Sequence, residues 1–408
     1  MLNNFFIGDD FTWFRWIADC PGFVNKNCSF STTIVHYFTE SDGFFYRPGT
    51  KVYFLLTYSI FWFNQVIYHA VSILLHFTAV ALFFLVARKI LRSHFLAVLA
   101  AFLFLLMSGY SEAVFWISST GFLFTAVFAL SSLLFFMLWE EKKEIRYYIL
   151  SLVALILGLL FHEQGVVIPL LLILYKYTKD ESVTFRKLFR KLHYLFLFSP
   201  VGIYLIARYS AQSHWFSGDY SYNLLKLPFN TIGNLLGYLS LALFGPISLP
   251  LYEIFRNFLK EQIIIALPAT LLIVFIFALF YRKIFRNLEK KEQRIIIFGF
   301  LFFIISLLPF LGLGNITSRY SYLASFGLVI VFVFLIKKLY TYLQSYGKDI
   351  SLIATTTLIL VFFLFHIIQV QQIHFDWSGE GEKTRRFFTS IDDLYWDYWS
   401  DEPVELHF

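Results

Sequence analysis

The sequence predicts an all-α polytopic membrane protein. Of its 408 residues, 58% are hydrophobic and 15% are charged, and the mean hydropathy is +0.67. Soluble globular domains are nearer half apolar and a quarter charged. Little of the chain can therefore form a soluble domain, and its 53 Phe and 25 Tyr residues are typical of a helical bundle with aromatic rings at the bilayer interfaces.

Ten apolar segments follow one another along the chain, and a membrane span needs about 20 apolar residues. We assign the spans to residues 66–87, 95–109, 119–139, 147–162, 164–178, 194–208, 262–281, 295–312, 321–339 and 350–370. The two segments on either side of residue 163 are short. We keep them separate because a single merged span would break the alternation of charge described next.

The loops between these segments alternate in charge. Lys and Arg are frequent in residues 88–92, 142–146, 176–191, 282–294 and 337–348, and rare in residues 110–118, 162–164 and 313–320. By the positive-inside rule the basic loops are cytoplasmic. Residues 1–47, 209–261 and 371–408 then lie on the other side. Membrane orientation also explains the net charge of +6, so the composition gives no reason to expect a nucleic-acid partner.

Two further apolar stretches are expected not to span. If residues 231–250 crossed the membrane, the basic loop 282–294 would lie outside, so we predict a hairpin broken at Gly245 and Pro246. Residues 48–63 mix apolar and polar positions, which is typical of an interfacial amphipathic helix. We therefore divide the chain into a first external loop (1–65), a transmembrane bundle (66–370) and an external tail (371–408).

Both ends of the sequence suggest a longer protein. The chain starts outside with no preceding span to carry it there. It ends in residues 404–408, an alternating run that resembles the beginning of a β-strand with nothing to pair with. We hypothesise that one N-terminal span and a C-terminal external module are missing, which would give 11 spans in the complete protein.

The feature that most needs a chemical explanation is the acid pair Asp9-Asp10, in a chain with only 27 acidic residues. Its apolar neighbours Phe5, Phe6 and Trp13 argue against a freely solvated loop. Neighbouring residues project to different sides of a turn, so only one of the two acids should point into a site. Solvated loop carboxylates are the structural alternative. The only cysteines, Cys20 and Cys28, follow in the same loop, as a disulfide or as free thiols.

Other ionisable residues gather near the same ends of the predicted spans, where they are functional candidates by default. Each has a structural alternative as well: His69 and His76 share a helix face and bind a neighbouring helix, Glu163 caps a helical hairpin, and Arg208 reaches the headgroups. Arg319 opens a span on the side that is poor in positive charge, which favours a functional role. The full set is Asp9, Asp10, Arg47, His69, Glu112, His162, Glu163, Arg208, Asp219 and Arg319.

External carboxylates and arginines suit glycosyl transfer from a polyprenyl-phosphate sugar. The lipid tail of such a donor requires a membrane protein, and the acceptor hydroxyl needs a carboxylate to take its proton. Phosphate leaves readily at neutral pH without a general acid, but its charge needs stabilisation, which the planar fork of Arg supplies.

Four sequence blocks resemble the membrane domain of the transmembrane-and-tetratricopeptide O-mannosyltransferases, which use dolichyl-phosphate mannose, and of their bacterial relatives in the GT-C glycosyltransferase superfamily. A fifth block, Phe161-His-Glu-Gln-Gly-Val-Val-Ile-Pro169, matches more weakly. Order and spacing agree over about residues 1–330. The four blocks are Gly8-Asp-Asp-Phe-Thr-Trp13; Tyr46-Arg-Pro-Gly-Thr50 with Tyr68-His-Ala-Val-Ser-Ile-Leu-Leu-His76; Ser111-Glu-Ala-Val-Phe-Trp-Ile-Ser118; and Ser318-Arg-Tyr-Ser-Tyr-Leu-Ala-Ser325.

This resemblance implies a GT-C type helical bundle and an inverting transferase of a mannose-like hexose, with the catalytic acid in the first external loop. Asp9-Asp10 map to that acid, with Asp10 the preferred base. Arg319, together with Arg47, would hold the donor phosphate. The side chains expected to orient sugar or acceptor are Glu112, Glu163, His162 and His69.

The predicted partners are a polyprenyl- or dolichyl-phosphate sugar, a hydroxyl acceptor on protein, glycan or lipid, and the bilayer itself. No cofactor is required, although the spacing allows a divalent cation beside Asp9, Asp10 and Glu163. Catalysis would occur on the non-cytoplasmic side of a bacterial or archaeal plasma membrane, or of the endoplasmic reticulum in a eukaryote.

The chain also departs from the family pattern. Met107-Ser-Gly-Tyr110 replaces the family's His-Pro-x-His, His162 replaces a Lys, and no tetratricopeptide repeats follow residue 370. Two alternatives therefore stay open: a transporter or flippase of lipid-linked glycans, and an inactive membrane scaffold. A transporter would favour inverted internal repeats and charges in the middle of spans, and neither pattern is found in the sequence.

Overall fold

The computed structural model describes residues 1–18, 30–41, 44–180, 192–213, 222–223, 225–262 and 288–399, together with Pro268 and Leu272. Within these ranges the chain is helical and contains no strand. The α-helices, in chain order, are α1 (Asp10–Ala18), α2 (Phe30–Thr39), α3 (Pro48–Phe61), α4 (Gln65–Leu91), α5 (His94–Leu106), α6 (Ser111–Phe115), α7 (Thr120–Lys142), α8 (Ile145–Phe161), α9 (Ile168–Lys179), α10 (Leu192–Leu195), α11 (Ser199–Ser210), α12 (Leu227–Phe244), α13 (Leu249–Glu261), α14 (Lys290–Leu311), α15 (Ser321–Leu343) and α16 (Lys348–Trp399). Short 3₁₀ turns precede several of them, including Ile117–Ser119, Glu163–Val167 and Ser318–Tyr320.

The helices confirm an all-α membrane protein but not the number of ten spans. Six helical segments in the described part of the chain are long and apolar enough to cross a bilayer: Gln65–Leu91, Ile117–Lys142, Leu227–Phe244, Lys290–Leu311, Ser318–Tyr346 and Lys348–Leu394. The apolar helix His94–Leu106 is shorter than the usual minimum, as are α9 and α11 with 12 residues each, and Ile145–Phe161, with 17 residues, is at that minimum. The predicted span 262–281 lies almost entirely outside the described residues.

The described residues of the basic loops lie together at one end of the bundle, which we call the basic end. There Lys89 of α4 binds Glu141 of α7 at 2.6 Å, and Lys176 of α9 binds the neighbouring Glu140 at 2.8 Å. Arg294 of α14 donates to the carbonyl oxygen of Thr178 at 3.3 Å. The opposite end, which we call the site end, carries the acid pair. The assignment of the basic end to the cytoplasm stays a prediction.

The hairpin of α12 and α13 lies across the site end. Near the start of α12, the Asn230 amide donates to the carbonyl of Gly312, just after α14, and further along the helix the Asn234 amide donates to the carbonyl of Leu313. At the other end of α12, Gln369 of α16 donates to Phe244 at 2.9 Å. The chain then turns at Gly245, where φ is +66°. α12 is long enough to cross the membrane. However, both halves of this helix contact residues at the site end of the bundle, and these contacts favour the predicted hairpin.

The last helix continues well past the predicted end of the bundle. α16 has 52 residues and runs unbroken through residues 370 and 371, where we had placed a boundary. At 1.5 Å per residue it is about 78 Å long, against about 30 Å for the hydrocarbon core. Its far part holds the N-terminal segment, since Arg385 donates to the carbonyl of Asn3 at 2.9 Å. The strand-like residues 404–408 lie outside the described part of the chain.

A small aromatic core of its own fixes the first loop. Phe6 and Phe54 are fully buried, and Trp13 of α1 stacks on Phe54 of α3 with ring centroids 4.9 Å apart. Phe6 also meets Tyr68, at the start of α4, edge to face at 5.3 Å. Burial of such rings contributes about 1.5–3 kcal/mol each. The segment that carries the acid pair is therefore packed against an aromatic core and is not a loose loop.

Candidate functional site

The two acids of the pair occupy different environments. A turn at Gly8 (φ +53°) precedes them, and Asp10 begins α1. Asp10 is 1% exposed, whereas Asp9 is exposed. One oxygen of Asp10 accepts from the backbone N–H of Ile7 at 3.0 Å, and the other accepts from the backbone N–H and the hydroxyl of Ser118 at 2.7 and 2.6 Å.

The setting of Asp10 has an electrostatic consequence. Burial raises the pKa of Asp10 to about 6, although the hydrogen bonds from Ser118 and Ile7 act in the opposite direction. Both Asp10 oxygens are bonded and almost none of its surface is exposed, so Asp9 is the more accessible carboxylate of the pair. The assignment of Asp10 as the base stays a prediction.

Arg319 and Glu112 form a second, more open group. Arg319 lies in the 3₁₀ turn Ser318–Tyr320 that opens α15, and Glu112 lies in α6. The Arg319 guanidinium is 3.8 Å from a carboxylate oxygen of Glu112, and its side chain is 18% exposed. Two further hydrogen bonds hold the turn: the Glu112 backbone N–H donates to the Ser318 hydroxyl at 3.2 Å, and the Arg319 backbone N–H donates to the Glu112 carboxylate at 3.4 Å. Glu112 thus positions the turn that carries the arginine.

Trp116 connects this group to the acid pair. The Arg319 guanidinium lies 4.7 Å above the Trp116 ring, a cation–π distance. The Trp116 indole N–H points to the carbonyl oxygen of Ile7, with a separation of 3.4 Å. Ser118, two residues later, holds Asp10. Residues 116–118 thus link the acid pair to Arg319. The sequence placed Trp116 and Ser118 in a family block but gave neither a role.

Arg47 and Glu163 form a buried ion pair. Arg47 caps the start of α3, and Glu163 opens the 3₁₀ helix Glu163–Val167. Two parallel bonds of 2.7 and 2.6 Å join them, and their side chains are 8% and 13% exposed. Burial alone would raise the pKa of Glu163, but the Arg47 guanidinium outweighs it and holds that pKa well below its ordinary value. The pair braces α3 against the turn that follows α8.

His162 stands where the resembled family has a Lys, but its side chain is not a cation. It is fully buried, its ring lies 3.9 Å from that of Phe122, and its Nδ1 accepts the Gln164 N–H at 3.1 Å. A neutral imidazole therefore stands at this position, and it adds no positive charge to the site.

His69 acts on the backbone of the first loop. It is 2% exposed in the first turns of α4, and its Nε2 lies 3.1 Å from the carbonyl oxygen of Asn4. This contact fixes the segment before the acid pair. It gives His69 a supporting place in the site, without a surface that faces a sugar. Asp219, Cys20 and Cys28 lie outside the described residues.

A large apolar groove lies beside the site. It has a volume of about 970 Å³ and runs between the α12–α13 hairpin and helices α5, α14, α15 and α16. Among its lining residues are Met107, Tyr252, Phe300, Phe332 and Phe365. Gly237 of α12 lies against Ile316, three residues before Arg319, and against Tyr252, which lines the groove, so α12 borders both the groove and the segment that leads to Arg319.

Metal ligands do not cluster in the described part of the chain. Within it, no group of three or more His, Cys, Asp and Glu side chains is placed to hold an ion. The divalent cation that the spacing allowed beside the acid pair stays a prediction.

Comparisons of the chain with protein-family models, with curated proteins and with solved structures gave no match. The resemblance of the five sequence blocks therefore stays a hypothesis, and the functional argument rests on the site itself.

Proposed function

We propose that the protein is an inverting glycosyltransferase that moves a hexose from a polyprenyl- or dolichyl-phosphate donor to a hydroxyl acceptor. One observation carries this proposal: the accessible Asp9 and the partly exposed Arg319 lie at one end of a membrane bundle, linked through residues 116–118, and the α12–α13 hairpin at that end borders an apolar groove. A base, a phosphate-binding cation and a place for a lipid tail are the three parts that this reaction needs.

Asp9 is the base in this proposal. Its carboxylate takes the proton of the acceptor hydroxyl while the hydroxyl oxygen attacks the anomeric carbon of the hexose from the face opposite the phosphate. Asp10 acts as a positioning residue, because its three hydrogen bonds fix the turn that presents Asp9. The exposure of the Asp9 side chain supports Asp9 as the base, in place of Asp10, which the sequence favoured for this role.

Arg319 receives the leaving group. As the bond between the anomeric carbon and the phosphate oxygen breaks, the electron pair stays on the phosphate, whose growing charge a fixed guanidinium stabilises. Stacking on Trp116 holds the plane of the Arg319 fork while its edge stays accessible. Arg47 is already bound through two bonds to Glu163, so we assign it to the scaffold of the site.

The groove gives the donor lipid a place to lie. Its volume of about 970 Å³ and its apolar lining suit several isoprene units, and α12 borders both this groove and the segment that leads to Arg319. A donor held there would keep its phosphate at the site end and its tail among the helices. We assign two roles to Glu112: it positions the turn that carries Arg319, and it contacts the sugar. The mannose-like hexose and the non-cytoplasmic side follow from the family resemblance and the charge rule alone.

The test uses the full chain in proteoliposomes, with radiolabelled polyprenyl-phosphate mannose and a hydroxyl-bearing acceptor peptide or glycan. We expect label to move covalently to the acceptor. Label that crosses the bilayer but stays on the lipid would replace this proposal with a flippase. Neither transfer nor crossing, in a sample whose melting curve shows a folded protein, would support the scaffold alternative.

A further inference from the structure

A second pocket lies at the basic end of the bundle, at the opposite end from the candidate site. It has a volume of about 260 Å³ and is enclosed by the ends of α4, α7 and α9 and by the start of α14. Its charged lining consists of five cations and one acid: Lys89, Arg92, Lys179, Lys291, Arg294 and Glu141.

The single acid neutralises only part of this charge. Glu141 binds Lys89 at 2.6 Å and lies 3.8 Å from Lys179. In the described part of the chain, no carboxylate oxygen comes within 4 Å of Arg92 or Lys291. Five cations and one carboxylate therefore line this small cavity.

The start of α14 increases the positive potential. Lys291 and Arg294 sit in its first turns, where the helix dipole already places positive charge and cations are disfavoured. The nearby acids are used elsewhere: Glu289 and Glu292 form the capping box of α14, and Glu292 also binds Lys338 at 2.5 Å. An anion in the pocket would offset this unfavourable concentration of charge.

Apolar side chains, together with Tyr175 and Thr178, form the rest of the pocket wall. Ile90 and Leu91 of α4 line it together with Ile295 and Phe298 of α14. Both helices are long and apolar enough to cross a bilayer, and the pocket lies where they end. Cations and apolar side chains in one wall, at the ends of two such helices, match a phosphate headgroup with acyl chains that run along the helices.

We propose that this pocket binds the phosphate headgroup of an anionic phospholipid from the leaflet at the basic end. Basic pockets between transmembrane helices are known to hold such headgroups. The proposal does not depend on the reaction at the site end. A free phosphate ion shares the headgroup chemistry, but it would make no use of the apolar wall.

The test compares two double variants of the full chain in neutral detergent, with phosphatidylglycerol and phosphatidylcholine as probes and native mass spectrometry as the readout. The pocket variant is Arg92→Gln with Lys291→Gln. The control is Lys290→Gln with Lys348→Gln, which removes the same charge from two helix starts at the basic end that do not line the pocket. We expect the pocket variant to lose about tenfold or more in affinity for phosphatidylglycerol, and the control to change by less than about twofold.

Equal losses in the two double variants would show a general surface charge and would overturn the proposal. Displacement of phosphatidylglycerol by inorganic phosphate at the same concentration would also overturn it, because the free ion would then be the ligand. Phosphatidylcholine, which has no net charge, should bind all three proteins weakly and alike. Unchanged melting midpoints in the absence of lipid show that the variants are folded.

Discussion

Ser118 donates two hydrogen bonds to a single oxygen of Asp10, from its backbone nitrogen at 2.7 Å and from its hydroxyl at 2.6 Å. These residues are 108 positions apart in the sequence, and their contact ties the first loop to the segment that carries Trp116. Hydrogen bonds to a charged group typically contribute about 1.5–3 kcal/mol. The contact therefore places Asp9 and Arg319 in a fixed relationship through residues 116–118.

Replacing Ser118 should loosen this connection. Ser118→Ala removes the hydroxyl donor and keeps the backbone donor, so we expect the free energy of unfolding to fall by about 1.5–3 kcal/mol. The measurement is denaturant unfolding in detergent micelles. Ser119→Ala is the matched control, because the Ser119 hydroxyl has no hydrogen-bond partner among the described residues. Equal losses in the two variants would argue against a stabilising contact between the Ser118 hydroxyl and Asp10.

The stability of the protein should depend on the charge of Asp10. Its pKa in the folded protein is raised from 3.8 to about 6, so the folded state holds a proton that the unfolded state has released between these two values. Stability is therefore expected to fall as the pH rises from about 4 to about 6, by about 3 kcal/mol at most, and then to level off.

The variant Asp10→Asn has no titrating group at this position. Unfolding midpoints of the wild type and of this variant, measured from pH 4 to pH 7, therefore isolate the contribution of Asp10. The wild type should lose stability relative to Asp10→Asn as the pH rises. A difference between the two proteins that stays constant from pH 4 to pH 7 would contradict the raised pKa.

The ion pair between Arg47 and Glu163 should be sensitive to the loss of either partner. Glu163→Gln leaves the guanidinium buried without its counter-charge, at a cost of about 3–5 kcal/mol in the free energy of unfolding. Arg47→Lys should also destabilise, since an ammonium cannot make the two parallel bonds.

The exposed pair of Lys89 and Glu141 is the matched control for that ion pair. Its atoms are equally close, at 2.6 Å, but its side chains are 23% and 40% exposed. Lys89→Gln should therefore cost about 0–1 kcal/mol. The same chemical unfolding series measures all three variants, and a similar cost for Glu163→Gln and Lys89→Gln would refute the structural role of Arg47.

Arg319 should act mainly on transfer. Arg319→Gln removes the charge that faces the leaving phosphate, and we expect a loss of about 10²–10³ in kcat, the size found when one stabilising donor is removed from an active site. Arg319→Lys should recover part of the rate, because it restores the charge without the planar fork. Donor turnover in proteoliposomes is the measurement, and a full rate in Arg319→Gln would remove Arg319 from the mechanism.

The sequence was sufficient to predict the helical bundle and the grouping of its basic loops, because hydrophobic length and loop charge are local properties. It also predicted that the two acids of the pair would face different environments. It did not indicate which acid is buried, since that depends on Ser118 and on the fold that brings residues 116–118 to the first loop.

Two features of the structure could not be predicted from sequence patterns. Arg47 and Glu163 were both selected as site residues, but their pairing across 116 positions is a property of the packed helices. The continuation of α16 to Trp399 was also missed, because residues 371–399 are polar and resemble a tail. The helix persists there because the N-terminal segment packs against it, with Arg385 bonded to Asn3.

The most direct test of the central claim compares label transfer by Asp9→Asn and Asp10→Asn under the assay proposed for the wild type. We predict that Asp9→Asn abolishes transfer and keeps the wild-type melting midpoint, since Asp9 is exposed. Asp10→Asn should retain measurable transfer and show altered stability. Full transfer by Asp9→Asn, together with none by a folded Asp10→Asn, would contradict the assignment of Asp9 as the base.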